Sequence, residues 1–337
     1  MNKQGTAGVD VSQHTLDVAA RAHDGSVRTA QFANTATGHH QLMSWLTKGG
    51  KAARVVLEAT GVYSFDLALA LHGAKRIEMM VVNPRAARKF AEACLQRSST
   101  DATMAVALRE YAARMEFLPW TPPATPVRHL RALARRIATV VIEKAAELNR
   151  AHAAAASDDT PAVVRNDIAV HVRHLERRVT ELERQALALI TADPQMQSAY
   201  QHLISVRGIA ATSAIQLLGE LLVLPADMTV RQWVAHSGLD VRHVTSGTSV
   251  HKTPRISKRG NAHLRRILYM PALVAVQCEP HVRTFYDQLL AAGKKPKQAV
   301  VAVMRKLLHA IYGMLKTNTD FDGAKFRKLP QGATQAA

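Results

Sequence analysis

The sequence predicts an α/β domain joined through long helices to a mostly α C-terminal domain. Short apolar runs of strand character fill the N-terminal part, helix-type apolar spacing dominates the remainder, and prolines at 119, 122, 123 and 126 separate the two. With 337 residues and 47% apolar content, each part can bury a core, although aromatics at 5% leave Ala, Val, Leu and Ile to fill it.

Residues 6–11 and 15–20 read as two strands around the polar turn Ser12-Gln13-His14, and residues 27–33 as a third. A helix over 38–46, a strand over 54–58 and a helix after Tyr63 follow. The strand at 77–82 ends at Asn83-Pro84, where Pro84 suits the first turn of another helix. A three-strand meander followed by alternating strands and helices is the order of an RNase H-like fold. Helix cannot run through the proline cluster, so the first domain is expected to span residues 1–118.

Leu130, Leu133, Ile137, Val140 and Leu148 then mark one long helix, which Ser157-Asp158-Asp159-Thr160-Pro161 breaks. A second helix carries Ile168, Val172, Leu175, Val179, Leu182, Ala186 and Leu189 at 4–3 spacing. That narrow seam fits a coiled coil between chains, or a helical hairpin within one chain, over residues 127–192. Beyond Asp193-Pro194 a helical domain is expected over 195–320, followed by a tail at 321–337 that frays after Asp322.

Charge narrows the function. Lys+Arg 44 against Asp+Glu 26 gives +18 and a pI near 10.3. From Gln201 onward 19 Lys/Arg face 7 Asp/Glu, so +12 of that charge sits in the C-terminal part. A protein this basic usually meets a polyanion, because neutralising phosphates releases counterions. Cys94 and Cys278, far apart and without metal-ligand spacing, read as buried apolar residues in a reducing cytosol. No run approaches a membrane span and the N-terminus lacks a signal-peptide pattern, so a bacterial cytoplasmic, nucleoid-associated protein with no membrane partner is expected.

Three carboxylates stand out. Asp10 lies inside a strand, a costly place without a cationic partner, Glu58 closes the strand at 54–58, and Asp101 opens a helix. Converging strand-end and helix-start carboxylates make an oxygen-lined site for Mg²⁺ and two-metal phosphoryl transfer. Separately, Asp101 also suits a helix N-terminus, and Glu58 a rim charge.

In the basic part, Ser205-Val206-Arg207-Gly208-Ile209-Ala210 resembles a helix-hairpin-helix turn, with Arg207 and Gly208 approaching a phosphate; an ordinary helix turn fits too. A polar loop, Val244-Thr245-Ser246-Gly247-Thr248-Ser249, leads into Lys252, Arg255, Lys258, Arg259, Arg265 and Arg266. Ser246 beside glycine and facing cations has the setting of a nucleophile on phosphorus, and equally of a turn former. Lys294, Lys295 and Lys297 join these cations as candidate phosphate contacts or as a solvated basic face; His251 and His263 are candidate general acids or structural residues.

Gly8-Val9-Asp10-Val11-Ser12, Leu57-Glu58-Ala59-Thr60-Gly61-Val62-Tyr63, Thr100-Asp101, Gly208-Ile209, Ala235-His236-Ser237-Gly238-Leu239, Ser246-Gly247-Thr248-Ser249-Val250 and Ser257-Lys258-Arg259-Gly260-Asn261 occur in that order, followed by Leu264-Arg265-Arg266. Over residues 5–320 the chain resembles the IS110-type, Piv/MooV-related insertion-sequence transposases. The resemblance implies a RuvC-like DEDD domain, a coiled-coil segment and a serine transposase domain, with Asp10, Glu58 and Asp101 holding Mg²⁺ and Ser246 forming a phosphoserine link to DNA. It also implies donor and target double-stranded DNA, a structured non-coding bridge RNA, and a dimer or tetramer whose coiled coil is the protomer interface and whose active site combines domains of different protomers. The family's fourth acid would fall at Met104, and a thioether is a poor ligand for hard Mg²⁺. Glu110 lies on roughly the opposite helix face. A RuvC-like junction nuclease, or an RNA- and DNA-binding homologue impaired at Met104, are the competing expectations.

Overall fold

The computed structural model describes residues 5–22, 24–59, 61–94, 100–247 and 250–329, with side chains at all of these except 246 and 250–252. It divides into two compact units, Met1–Pro122 and Pro123–Ala337.

The first unit is a mixed α/β layer structure. Strands β1 (Gly5–Val11), β2 (Thr15–Arg21), β3 (Val27–Ala33), β4 (Ala53–Glu58) and β5 (Ile77–Val82) form one sheet in the order β3-β2-β1-β4-β5. The three N-terminal strands run as an antiparallel meander, and β4 and β5 join in parallel beside β1. Alternation decides the faces. Ala7, Val9 and Val11 bury against residues of α1 (Ala36–Leu46) and α2 (Phe65–His72), such as Leu42 and Leu67. On the other face, Val56, Met80 and Val82 pack with Ala87 of α3 (Pro84–Ala93) and with Leu108 and Ala112 of α4 (Asp101–Arg114).

Gly8 sets the closeness of that second layer. A Cβ there would stand 2.2 Å from the Ala105 carbonyl oxygen and 2.3 Å from the Arg109 nitrogen, so only glycine lets the α4 backbone lie on β1. After α4 the chain returns to the sheet, where the Trp120 N–H donates to the Met79 carbonyl at 2.8 Å and its ring meets Phe65 edge-on.

The second unit starts with α5 (Thr125–Ala155) and α6 (Ala162–Thr191), an antiparallel hairpin within one chain, as the Lys144–Glu176 and His171–Glu147 pairs show. Leu130, Ala134 and Ile137 of α5 and Ala186 and Ile190 of α6 belong to the same core as the helices that follow. Those are α7 (Pro194–Ile204), α8 (Ala211–Leu221), α9 (Val230–Ser237), α10 (Ala262–Cys278), α11 (Pro280–Ala291), α12 (Pro296–Thr317) and the short α13 (Gly323–Phe326). The base of the long hairpin is therefore built into the C-terminal core.

Three expectations need correction. The polar segment around Ser246 is a two-stranded hairpin, β6 (Val241–Ser246) with β7 (Val250–Ile256). It escaped detection because its strands pair with each other and carry little apolar alternation. The expected fraying after Asp322 does not begin there: Phe326 is buried against Phe285 and Phe321, while residues 330–337 lie outside the described ones. Cys94 and Cys278 are exposed, since each sits at a helix C-terminus rather than on a packed face. Among the described residues, no helix is long and apolar enough to cross a membrane.

Candidate functional site

The sheet register assembles the acidic half. Val9 of β1 lies beside Leu57 of β4, which puts Asp10 and Glu58 at neighbouring strand ends. Each follows by two residues a position facing α4, Gly8 and Val56 respectively, so both carboxylates point to the α4 side. Asp101 opens α4, where Thr100 and Thr103 form a reciprocal capping box and the helix dipole favours an acid.

These acids lie within electrostatic reach of one another. Burial, then the charges of Asp101 and Glu58, push Asp10 up to about 6 from 3.8. Burial also raises Glu58, with the Arg88 guanidinium pulling the other way. Among the described residues, however, no three His, Cys, Asp or Glu side chains are drawn together tightly enough to hold one cation.

The sequence reading missed Asp17. It pairs across the ladder with Asp10, so both side chains stand on one face, and it adds to the field that raises Asp10. Gln31 holds it by donating to both carboxylate oxygens, at 3.1 and 3.2 Å. The available signal was the buried pair Leu16 and Val18, which turns Asp17 to the opposite face.

Met104 packs against the apolar cluster of Val56, Met80, Val82 and Leu108, which accounts for a thioether on this face. Glu110 is engaged by Arg109 and Arg114. Burial works upward on its carboxyl, but those two guanidinium partners outweigh it and hold the group below its usual range. It therefore remains a poor substitute for the missing acid.

The basic half is organised by the β6–β7 hairpin. At its base the Ser257 N–H donates to the Asp240 carbonyl at 2.8 Å and the Lys258 N–H to Gly238 at 3.1 Å. Gly260 crosses α9 so closely that a Cβ would lie 2.2 Å from the His236 carbonyl oxygen. Ser246 and Val250 pair at the far end, around Gly247. The Ser246 hydroxyl and the His251 and Lys252 side chains fall outside the described ones, as do residues Thr248 and Ser249.

Arg207, Arg255, Lys258, Arg259, Arg266, Lys294, Lys295 and Lys297 are exposed. Two further candidate phosphate contacts, Arg265 and Gly208, are half-buried and packed within the fold. Arg265 donates to the Ser237 carbonyl at 2.8 Å, tying α10 to the end of α9. Gly208, at φ 113°, presses on α10, and a Cβ would lie 2.8 Å from both Ala275 N and Pro271 O. Its glycine requirement thus comes from its positive φ and from packing on α10.

Comparison with known proteins matches the chain in two stretches, the first running past the boundary of the first unit to residue 156. A model described as "Transposase", of the IS110 DEDD type, matches residues 7–156, and one described as "Transposase IS116/IS110/IS902 family" matches residues 200–287. The pilin gene-inverting protein of Moraxella bovis is 27% identical over 321 residues, covering 94% of this chain and 97% of that protein. Its counterpart in Moraxella lacunata is also 27% identical, with the same coverage. An uncharacterized 43.6 kDa protein of insertion element IS110 from Streptomyces coelicolor is 29% identical over 164 residues, 49% of this chain and 38% of that protein.

Proposed function

Because the chain belongs to the IS110 family of transposases, whose members recombine DNA, we propose that it cleaves and exchanges DNA strands through a phosphoserine intermediate at Ser246, assisted by Mg²⁺. The observation that carries this reading is the placement of Asp10, Glu58 and Asp101 on one face of the sheet, with Asp10 held well above its ordinary value. Like charges gathered in a partly buried place are the setting a divalent cation relieves. The strand order β3-β2-β1-β4-β5 supports an RNase H-like, RuvC-like assignment for this unit. Asp10, Glu58 and Asp101 would hold the metal, and bound Mg²⁺ would supply charge neutralisation at the phosphoryl oxygens.

Ser246 contributes the nucleophile. Its oxygen bonds to phosphorus, the phosphodiester bond to one sugar oxygen breaks, and that oxygen takes up a proton while the hydroxyl gives one up. The exposed cations Arg255, Lys258, Arg259 and Arg266 hold the strand near the hairpin. The partners assigned are donor and target duplexes and a structured guide RNA, in a homo-oligomer; the surplus of Lys and Arg after residue 200 supports the polyanion. Ser246→Ala is expected to abolish the covalent protein–DNA adduct seen on denaturing gels. An adduct of undiminished yield would remove Ser246 from the mechanism, and free cleaved ends would instead favour a hydrolytic nuclease.

The apolar seat of Met104 favours a second reading, a copy with weakened metal affinity. Met104→Asp is expected to tighten Mn²⁺ binding and raise Mg²⁺-dependent recombination about tenfold, while costing about 1–2 kcal/mol of stability through lost packing. Equal recombination by both chains would show that three acids suffice.

A further inference from the structure

Gly219 of α8 brings a second pair of backbones together. A Cβ there would stand 2.7 Å from the Ala134 Cβ and 3.2 Å from the Arg131 Cα, so α8 lies hard against α5. The next residue, Glu220, is consequently only 1% exposed. A buried carboxylate demands partners, and four hydrogen bonds answer it. Arg135 donates from Nε at 2.7 Å and from a terminal nitrogen at 3.2 Å, Asn261 from Nδ2 at 2.6 Å, and Arg131 at 3.5 Å. Asn261 also caps α10, accepting from the His263 and Leu264 N–H groups.

Glu220 is thus satisfied, but the groups around it are not balanced. Arg131 and Arg135 keep 36% and 43% of their side chains in solvent, directly above the buried acid. Arg266 meets His263 at 3.4 Å on the same side. Two guanidinium charges therefore face one carboxylate, with a third, Arg266, beside His263. The Nε atom of Arg131 and the Nε2 atom of His236 are buried with no hydrogen-bond partner among the described residues. Burial, together with Arg131 for His236 and Arg135 for His263, lowers both imidazoles, as expected in a positive field.

We propose that Arg131, Arg135, His236, His263 and Arg266 form a seat for a backbone phosphate of a bound nucleic acid, with Glu220 fixing the two α5 arginines from below. The inference rests on the chain acting on DNA. It gives the α5 arginines, remote in sequence from the serine hairpin, a share in strand binding. A phosphodiester offsets the surplus charge at the solvent-facing guanidinium groups of Arg131 and Arg135, while remaining singly ionised at any working pH.

The test uses the full chain in polarisation titrations of a labelled DNA duplex and a labelled RNA hairpin over a salt series. Arg131→Gln is expected to weaken binding about tenfold and to reduce the slope of log K against log salt by about one, with Arg131→Lys restoring the slope. Arg135→Gln combined with Glu220→Gln removes both partners of the ion pair together, and gives the same readout should the single variant fail to fold. Loss confined to the duplex identifies the phosphate as DNA, and loss confined to the hairpin identifies it as RNA. Unchanged affinity and slope for both polymers, with folded variants, overturn the seat and leave the transposase reading intact. A wild-type chain that binds neither polymer overturns both.

Discussion

Asp10→Asn is expected to yield a protein that is more stable at neutral pH than the native chain and inactive in strand cleavage. Burial, then Asp101 and Glu58, hold Asp10 at about 6 in the folded state against 3.8 for an ordinary carboxyl. The folded chain therefore binds this proton more tightly than the unfolded chain does. Stability is full below the ordinary value and falls as pH rises through roughly 4 to 6, because above that window the fold must carry the charge. Asparagine removes that burden. Discounted for partial exposure, the gain at neutral pH is about 2 kcal/mol, and it vanishes at about pH 4. Thermal melting at the two pH values checks the sign, and an equal effect at both would refute the electrostatic account. Mn²⁺ should raise the melting temperature of the native chain and leave the variant unmoved.

Gly8→Ala is expected to damage both the stability and the activity of the first unit. Its Cβ would meet three backbone atoms of α4, with Leu108 C at 2.7 Å in addition to the two closer ones. Backbone atoms of a helix cannot rotate away as a flexible side chain does, so α4 must shift as a body. Overpacking of this kind costs about 1–3 kcal/mol. Asp101 rides on the displaced helix, and a shift near ~1 Å at a reacting site costs on the order of 100-fold in rate. Melting curves and strand-cleavage rates both report on this. Native melting with native rates would show that α4 has slack, and would remove the glycine from the account of the site.

Much of the acidic half was legible in the sequence. Strand-type patterning located β3 and β5 at their full extents and placed Asp10 in a strand and Glu58 at a strand end. Thr100-Asp101 announced the start of α4 through capping chemistry, which is local. Asp17 was not legible as a neighbour of Asp10, because its contribution depends on ladder register rather than on its own surroundings in the chain. The β6–β7 hairpin was missed for a different reason, having no buried face to impose a period of two. The packing of Arg265 on Ser237 and of Gly208 on α10 was not legible either, because composition cannot say what a side chain or a turn packs against.

By itself, the sequence determined the charge asymmetry, the order of the transposase-like motifs and the chemical types available along the chain. Those properties reside in local patterning and in motifs held in order along the chain. The tertiary structure alone decided which groups act on each other. Asp10 meets Asp101 because Gly8 admits α4, and Glu220 gathers Arg131, Arg135 and Asn261 because Gly219 admits α5. In both cases the deciding quantity is the distance between two backbones far apart in sequence. Close packing sets that distance, and no local propensity encodes it.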